Sequence, residues 1–411
     1  MKISSKTGLA PHGRPGFVYI LFLAAVLLSG CAGKLDRATG LFYAERPEEA
    51  LEVLAEGSEE SRTSELLFLM EKGLVEHELG RYRDSSQTLL KASRLVESFE
   101  TISASEQLAS LATTEWLTRY KGEYSERLWV HSYLMMNFLL QYQYDSAQVE
   151  ARKALKLFEA YPDVLDNDYF TRALMGLCFS LVGEDNDAYL VYRKLAADLP
   201  SPQPVAFDLV RLASRLGQPD EVEKYRPHLP GNLPRRSGEL VLFVASGRIP
   251  EKKAGNVVLP PSIRFSFPYY RTSHVPEIRV QLRPAQTTLP PVTSSLSVLA
   301  VSSLSARKAR IIAKETMRVA GKEAIAQSVG NQFGDAAELV TRLSLFLLEE
   351  PDVRSWRTLP GRLTLVRVPL PEGKHRLTVD VGRGDGRWKS SLELPEFEVR
   401  AGQRIFYSLR Y

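Results

Sequence analysis

A recurring spacing of small residues, set in a proline-poor N-terminal half, constrains this chain more than any other feature. Over residues 36–230 apolar side chains return every three and four positions, and proline is sparse until about residue 200, so the region reads as helix. Within it Gly176 and Gly183 stand seven apart, Ala188 follows five later, Tyr192 four after that and Pro200 eight after that. Met175 and Phe179 fit the same frame, and Leu195 stands where a small side chain is expected. A second copy runs through Gly73, Gly80, Tyr82, Ser85, Leu89 and Ala92. A looser third runs through Tyr144, Ala147, Ala151, Ala154 and Pro162, with Met135 and Tyr142 in place of both glycines, and a degraded fourth surrounds Gly217 and Pro219. Glycine and alanine let paired helices approach closely, aromatic residues fill the gap between neighbouring pairs, and proline ends the second helix.

That pattern resembles the tetratricopeptide repeat, a helical hairpin of 34 residues. The resemblance implies a stack of hairpins whose concave face binds a peptide or a protein. A generic helical bundle is the bland alternative.

From residue 231 the character changes. Proline and glycine rise, and strand-like runs appear at Leu240-Val241-Leu242-Phe243-Val244 and Ile278-Arg279-Val280-Gln281-Leu282. Residues 302–350 return to helix, and residues 361–411 are strand again. The expectation is an α+β chain: a signal segment at 1–30, a helical-repeat solenoid at 31–230, and a β-sandwich-like domain at 231–411 with a helical insertion at 302–350. The stretch Pro369-Leu370-Pro371-Glu372-Gly373-Lys374-His375, with the closing Val399-Arg400-Ala401-Gly402-Gln403, resembles the end of PEGA-type modules, small extracytoplasmic β-sandwiches. The upstream half of that module is missing nearby. The strands at 239–282 are therefore expected to complete one split sandwich, against the simpler alternative of two separate sheets. Residues 305–327 are rich in alanine, which suits a helix buried against a sheet better than a membrane device.

The N-terminus carries basic residues without acids, then an apolar run of twelve, Phe17 to Leu28. Twelve residues suit a signal-peptide core rather than a span of about 20. Leu28-Ser29-Gly30-Cys31 resembles the lipobox of bacterial lipoproteins, which implies cleavage between Gly30 and Cys31 and a diacylglyceryl group on the Cys31 sulfur. Ala32 after the cysteine implies the outer membrane, facing the periplasm. The formal charge of +4 falls to +1 without Lys2, Lys6 and Arg14, too little to make nucleic acid the main partner. Cys178 is then the remaining cysteine, so no disulfide framework is expected, and its apolar surroundings mark it as a buried, inert thiol.

Candidate chemistry centres on Tyr120, Glu123, Glu126, Arg127 and His131. Positions 123, 127 and 131 are each four apart and are expected to share a helix face. Glu and His so placed can act as acid and base; the bland reading is an ion pair beside a hydrogen-bonded histidine. The cluster holds a single histidine, so it is not a zinc motif of the HExxH type, and no cofactor or metal is expected. His77, His228, His274 and His375 are scattered. The glycine-rich Gly382 to Arg387 reads as a hairpin loop. Arg354, Trp356 and Arg357 in Arg354-Ser355-Trp356-Arg357-Thr358-Leu359-Pro360 read as an aromatic plug with its arginines at a domain joint, with a binding spot as the alternative. That motif, the run Tyr120 to Arg127, His131, Asn137 and Gly238-Glu239-Leu240-Val241 together resemble an uncharacterised family of bacterial lipoproteins with helical repeats; the resemblance implies architecture and anchor, not activity. The expected function is a lipid-anchored periplasmic scaffold binding a protein or peptide in envelope assembly or secretion. The alternatives are an enzyme acting on a cell-envelope polymer, with Glu123, Glu126 and His131 in a cleft, or a carrier of a hydrophobic ligand.

Overall fold

The computed structural model describes residues 33–100, 119–231, 236–259, 263–271, 275, 277–284, 286–334, 338–339, 351–383 and 388–411. Gly30, Cys31 and the rest of the expected export signal lie outside them, as do 335–337 and 340–350 of the expected insertion.

The helical half begins with α1 (33–43) and α2 (Pro47–Glu60) and continues through α3 (Glu65–Glu78), α4 (Tyr82–Glu100), α5 (Tyr124–Leu140), α6 (Tyr144–Ala160), the short α7 (Pro162–Leu165), α8 (Tyr169–Leu181), α9 (Asp185–Asp198), α10 (Gln203–Arg215) and α11 (Pro219–Tyr225). Hairpins pair α3 with α4, α5 with α6, α8 with α9, and α10 with α11. Among the described residues five turns close with the same backbone bond, from Arg46, Arg81, Gln143, Glu184 and Gln218 to the carbonyls of Leu41, Glu76, Phe138, Phe179 and Ala213. The residue before each donor is left-handed: Glu45, Gly80, Tyr142, Gly183 and Gly217. That bond satisfies a carbonyl the helix end would otherwise orphan, and glycine takes the backbone angle without strain. The α1–α2 hairpin, with Glu45 rather than glycine at its turn, was not legible as a repeat.

Packing between paired helices depends on matched volumes. A Cβ on Gly73 would stand 2.6 Å from Leu89, and one on Gly176 would stand 2.7 Å from the Tyr192 ring. At the corresponding positions of the α5–α6 hairpin the sizes are inverted: Met135 and Ala151, both fully buried. Large against small is kept while the side that carries the bulk changes, as close-packed interiors require. These hairpins make the N-terminal half a tetratricopeptide-like array.

The second half is a split sandwich. β1 (Ser237–Ser246) pairs antiparallel with β6 (Arg362–Pro371) and parallel with β11 (Arg404–Arg410), and β5 (Leu289–Ser295) completes the order β11-β1-β6-β5. A second sheet runs β4 (Ile278–Arg283), β8 (Thr378–Arg383), β9 (Trp388–Glu393). The hairpin of β2 (Glu251–Leu259) with β3 (Ile263–Arg271) and the small pair of β7 (Gly373–His375) with β10 (Phe397–Val399) stand beside them. Strands from both sides of the inserted helix interleave, so one sandwich forms rather than two separate sheets. The insertion differs from expectation at its start. It begins at Leu296, straight from β5, and runs as one helix, α12, to Phe333, capped where the Ser295 hydroxyl accepts the Val298 N–H at 3.4 Å.

The four-stranded sheet is buried on both faces. Leu240, Leu242, Val244, Val366 and Val368 meet Leu282, Val379 and Val381 of the second sheet. Val241, Phe243, Leu363, Leu365 and Phe406 join the core of the helical half. This explains the unbroken apolar run in β1, which a half-solvated strand would not carry. Within the repeat array the first helix of each of these hairpins, α3, α5, α8 and α10, meets the sheet through β5, β6 and β11. The inner surface of the repeat array is therefore covered by the chain's own sheet.

Candidate functional site

The expected residues gather where the loop at 351–360 lies on α3 and α5. Glu126, in the first turn of α5, accepts the Trp356 N–H on Oε1 at 2.8 Å. Its Oε2 accepts the Glu123 N–H at 2.7 Å and the Tyr120 hydroxyl at 2.5 Å. Glu71 of α3 accepts the Arg357 N–H at 2.6 Å, the Thr358 N–H at 3.1 Å and the Thr358 hydroxyl. Two buried carboxylates thus hold three successive backbone amides of one loop. Trp356 is fully buried, its ring 5.8 Å from that of Tyr133. Arg354 donates to the Thr63 carbonyl at 3.0 Å, sits over the Tyr120 ring at 5.3 Å and pairs with Asp352 at 2.7 Å. Arg357 pairs with Asp36.

Glu123 faces the same joint. Its carboxylate accepts from Lys252 of β2 at 2.8 Å and from Arg307 of α12 at 2.5 Å. Burial works to raise its pKa, but the two cations overcome that and hold it at about 2. Glu126 lies above the usual carboxylate range, through burial and the neighbouring Glu123 charge. Burial pushes Glu71 up to about 7 against the pull of its hydrogen bonds from Thr358 and Arg357.

The expectation that Glu123, Arg127 and His131 share one face is corrected. Glu123 is the N-cap of α5 with extended backbone, φ −72 and ψ 159, so helical spacing does not begin until after it. Its side chain and that of Glu126 instead form a reciprocal capping box. Arg127 turns back to donate to the Lys121 carbonyl at 3.0 Å and lies over Tyr124. His131 hydrogen-bonds Glu150 of α6 at 2.6 Å, binding the two helices of one hairpin. The residues Tyr120, Glu123 and Glu126 are brought together; Arg127 and His131 are not.

A second polar cluster, missed in the sequence, lies where the sheet meets α10. Arg367 of β6 pairs with Asp208 and, at 2.7 Å, with Glu239 of β1. Arg404 of β11 donates to Glu239 at 3.0 Å, and Arg211 pairs with Asp208 at 3.1 Å. Burial opposes ionisation of Asp208, but the Arg367 guanidinium keeps its pKa below the ordinary value. Further along the same seam Asp168 accepts from Trp129 at 3.0 Å and from the Ser294 hydroxyl at 2.7 Å, and His77 bonds Asn137 at 2.6 Å and Ser408 at 2.8 Å. The sequence held one signal for these groups: a lone charge inside an apolar strand, Glu239 in Glu239-Leu240-Val241-Leu242 and Arg367 in Leu365-Val366-Arg367-Val368. A buried charge needs a partner, though the pattern does not say which.

The remaining expected residues are structural by position. Gly80 and Gly183 occupy turns, Gly73 and Gly176 sit beneath Leu89 and Tyr192, and Ala92, Ala147, Ala154, Ala188 and Tyr192 are buried between helices. Pro200 follows the end of α9. Cys178 is buried, and burial raises its thiol pKa far above the ordinary range. Among the described residues no group of three His, Cys, Asp or Glu side chains is placed to hold a metal, and no helix is long and apolar enough to cross a membrane.

No protein-family model matches the chain, and no curated protein does. Solved structures similar to it include YrrB, a TPR protein with an unusual peptide-binding site, 14% identical over 47% of this chain and 82% of that one, with a TM-score of 0.34. PilF of Pseudomonas aeruginosa is 18% identical over 47% of this chain and 72% of that one, with a TM-score of 0.33. The Rap conjugation gene regulator of plasmid pLS20, in complex with the Phr* peptide, is 16% identical over 50% of this chain and 53% of that one, with a TM-score of 0.30. Likeness at this level carries no argument about function, and the repeat architecture rests on the hairpin geometry above.

Proposed function

We propose that the protein is a lipid-anchored scaffold or adaptor of the bacterial cell envelope, held to the outer membrane through Cys31 and facing the periplasm, where it binds a protein or peptide partner in envelope assembly or secretion. The observation that carries this reading is the welded architecture. A tetratricopeptide-like array is closed on its inner side by its own sheet, through Asp168, Asp208 and His77, and by the loop at 351–360, through Glu71 and Glu126. A body so tied holds surfaces at fixed separations, which is what a scaffold needs. Its partner surface then belongs to the outer helices and the edges of the array, where Val149 on α6 and Leu190 on α9 are 49% and 43% exposed. The rival enzyme reading loses its best acid–base set, because Glu123, Glu126 and His131 are each held in internal bonds that a substrate would have to break.

The test is cross-linking in intact cells with the full lipidated chain, followed by mass spectrometry, beside a Cys31→Ser control. The expected result is one or two reproducible envelope proteins, cross-linked through the repeat half and diminished when the anchor is lost. A glycan or lipid carried along with no protein partner would overturn the scaffold reading.

A further inference from the structure

We infer that the corner formed by the α5–α6 turn and β11 is a docking site for an extended, acidic segment of a protein partner, centred on Tyr142, Tyr144 and Arg404. This rests on the scaffold reading and names the place and chemistry of its contact.

Charge is the first argument. In the seam beneath the corner three guanidinium groups, Arg211, Arg367 and Arg404, share two carboxylates, Asp208 and Glu239. Arg404 donates to Glu239 through Nε, and its two terminal nitrogens carry no hydrogen bond among the described residues. The Tyr192 hydroxyl, within electrostatic reach of Asp208, Arg367 and Arg404, is buried and also without a partner. The cluster is positive by one charge, and of the two arginines on the strands Arg404, its side chain 10% exposed against 4% for Arg367, is the one an incoming carboxylate meets.

Backbone strain is the second. Of the five equivalent turns, three place glycine at the left-handed position; this one places Tyr142 there, at φ 58. A tyrosine in that conformation is strained, and strain of this kind gathers at functional sites. Its side chain is 52% exposed rather than used for burial. It stands edge-on to Tyr144 at 6.4 Å and to Phe406 at 6.1 Å, so the ring is held on a firm aromatic base. Tyr144 is itself within electrostatic reach of Arg404. Aromatic rings beside an arginine are the residue types that dominate protein interfaces.

Strand geometry is the third. Arg404 and Phe406 alternate on the helix-facing side of β11, which is an edge strand of its sheet. Among the described residues its outer backbone groups pair with no other strand, and such an edge accepts an extended chain.

The experiment selects a displayed library of random heptapeptides against the full chain, then measures the selected peptides on Tyr142→Gly and Arg404→Lys variants. Tyr142→Gly is chosen because it relieves the backbone and keeps the fold, which melting temperature checks. The expected result is enrichment of Asp- and Glu-bearing peptides whose affinity falls about tenfold in Tyr142→Gly, as loss of an aromatic anchor gives, and falls with salt. No enrichment, enrichment of basic or neutral peptides, or acidic peptides that bind Tyr142→Gly or Arg404→Lys as tightly as the wild type overturns the proposal. A cellular partner that cross-links equally to wild type and Tyr142→Gly sinks this site while leaving the scaffold reading standing.

Discussion

The two seams that weld the repeats to the sandwich solve the same problem with opposite chemistry. At the loop seam Glu71 and Glu126 receive backbone N–H groups, which are neutral dipoles. At the sheet seam Asp208 and Glu239 receive guanidinium groups, which carry full charge. Neutral donors do not fully offset the cost of burying a carboxylate, so Glu71 sits at about 7. The guanidinium does offset it, so Asp208 lies below its ordinary pKa. Both seams specify geometry, but their carboxyl groups should respond to acid in opposite senses.

The largest effect should come from breaking the sheet seam. Arg367→Ala leaves Asp208 and Glu239 buried with fewer cations, and removing one partner of a buried pair costs about 3–5 kcal/mol. Equilibrium denaturation should show it as a lowered midpoint, and an unchanged midpoint would mean that the seam is already hydrated.

A pH series sharpens the contrast. The folded pKa of Glu71, about 7, exceeds its ordinary value of 4.5, so the folded state binds the proton more tightly than the unfolded one. Its contribution is present in full below pH 4.5 and is lost as pH rises through about 7, on the order of 3 kcal/mol in all. Glu123, held at about 2, behaves in reverse: its contribution is present above pH 4.5 and is lost as pH falls through about 2. Denaturant midpoints of wild type and Glu71→Gln, taken from pH 4.5 to 8, should differ in slope. Parallel curves would remove Glu71 as the source.

Glu71→Gln should itself cost about 1–2 kcal/mol at pH 6, because its amide cannot accept from three donors at once. Near-ultraviolet circular dichroism of the buried Trp356 would report whether the loop lifts. Within the array, Gly176→Ala should destabilise by about 1–3 kcal/mol by pressing a methyl into the Tyr192 ring. Tyr142→Gly should do the opposite and by the least, stabilising by up to about 1 kcal/mol as strain is released. Thermal melts of the two variants check the pair, and a destabilised Tyr142→Gly would show that the ring's packing on Phe406 outweighs the strain.

Much of the helical half was legible because its determinants are local. Gly80 and Gly183 announce turns, and Gly73 with Leu89 or Gly176 with Tyr192 announce helix pairs, all within one hairpin. The α1–α2 hairpin escaped because Glu45 stands where its turn has glycine in other copies. The Trp356 motif, read as a domain joint with a binding spot as the alternative, lies buried with its backbone N–H on Glu126 of α5. The cluster around Glu123 was misjudged because helical spacing was counted through an N-cap that is not helical.

The hairpin array and the strand character of the second half are written in neighbouring residues and could be read directly from them. The folded arrangement set how the sandwich closes over the inner face of the repeats. It alone decided that Glu71 meets a loop 286 residues away, that Asp208 meets Arg367 across 159, and that Glu123 and His131 part company. The physical reason is that a buried charge states a need for a partner but carries no address. Hydrophobic periodicity says which face is covered, not by what, and the pairing across that seam is set when the whole surface closes at once.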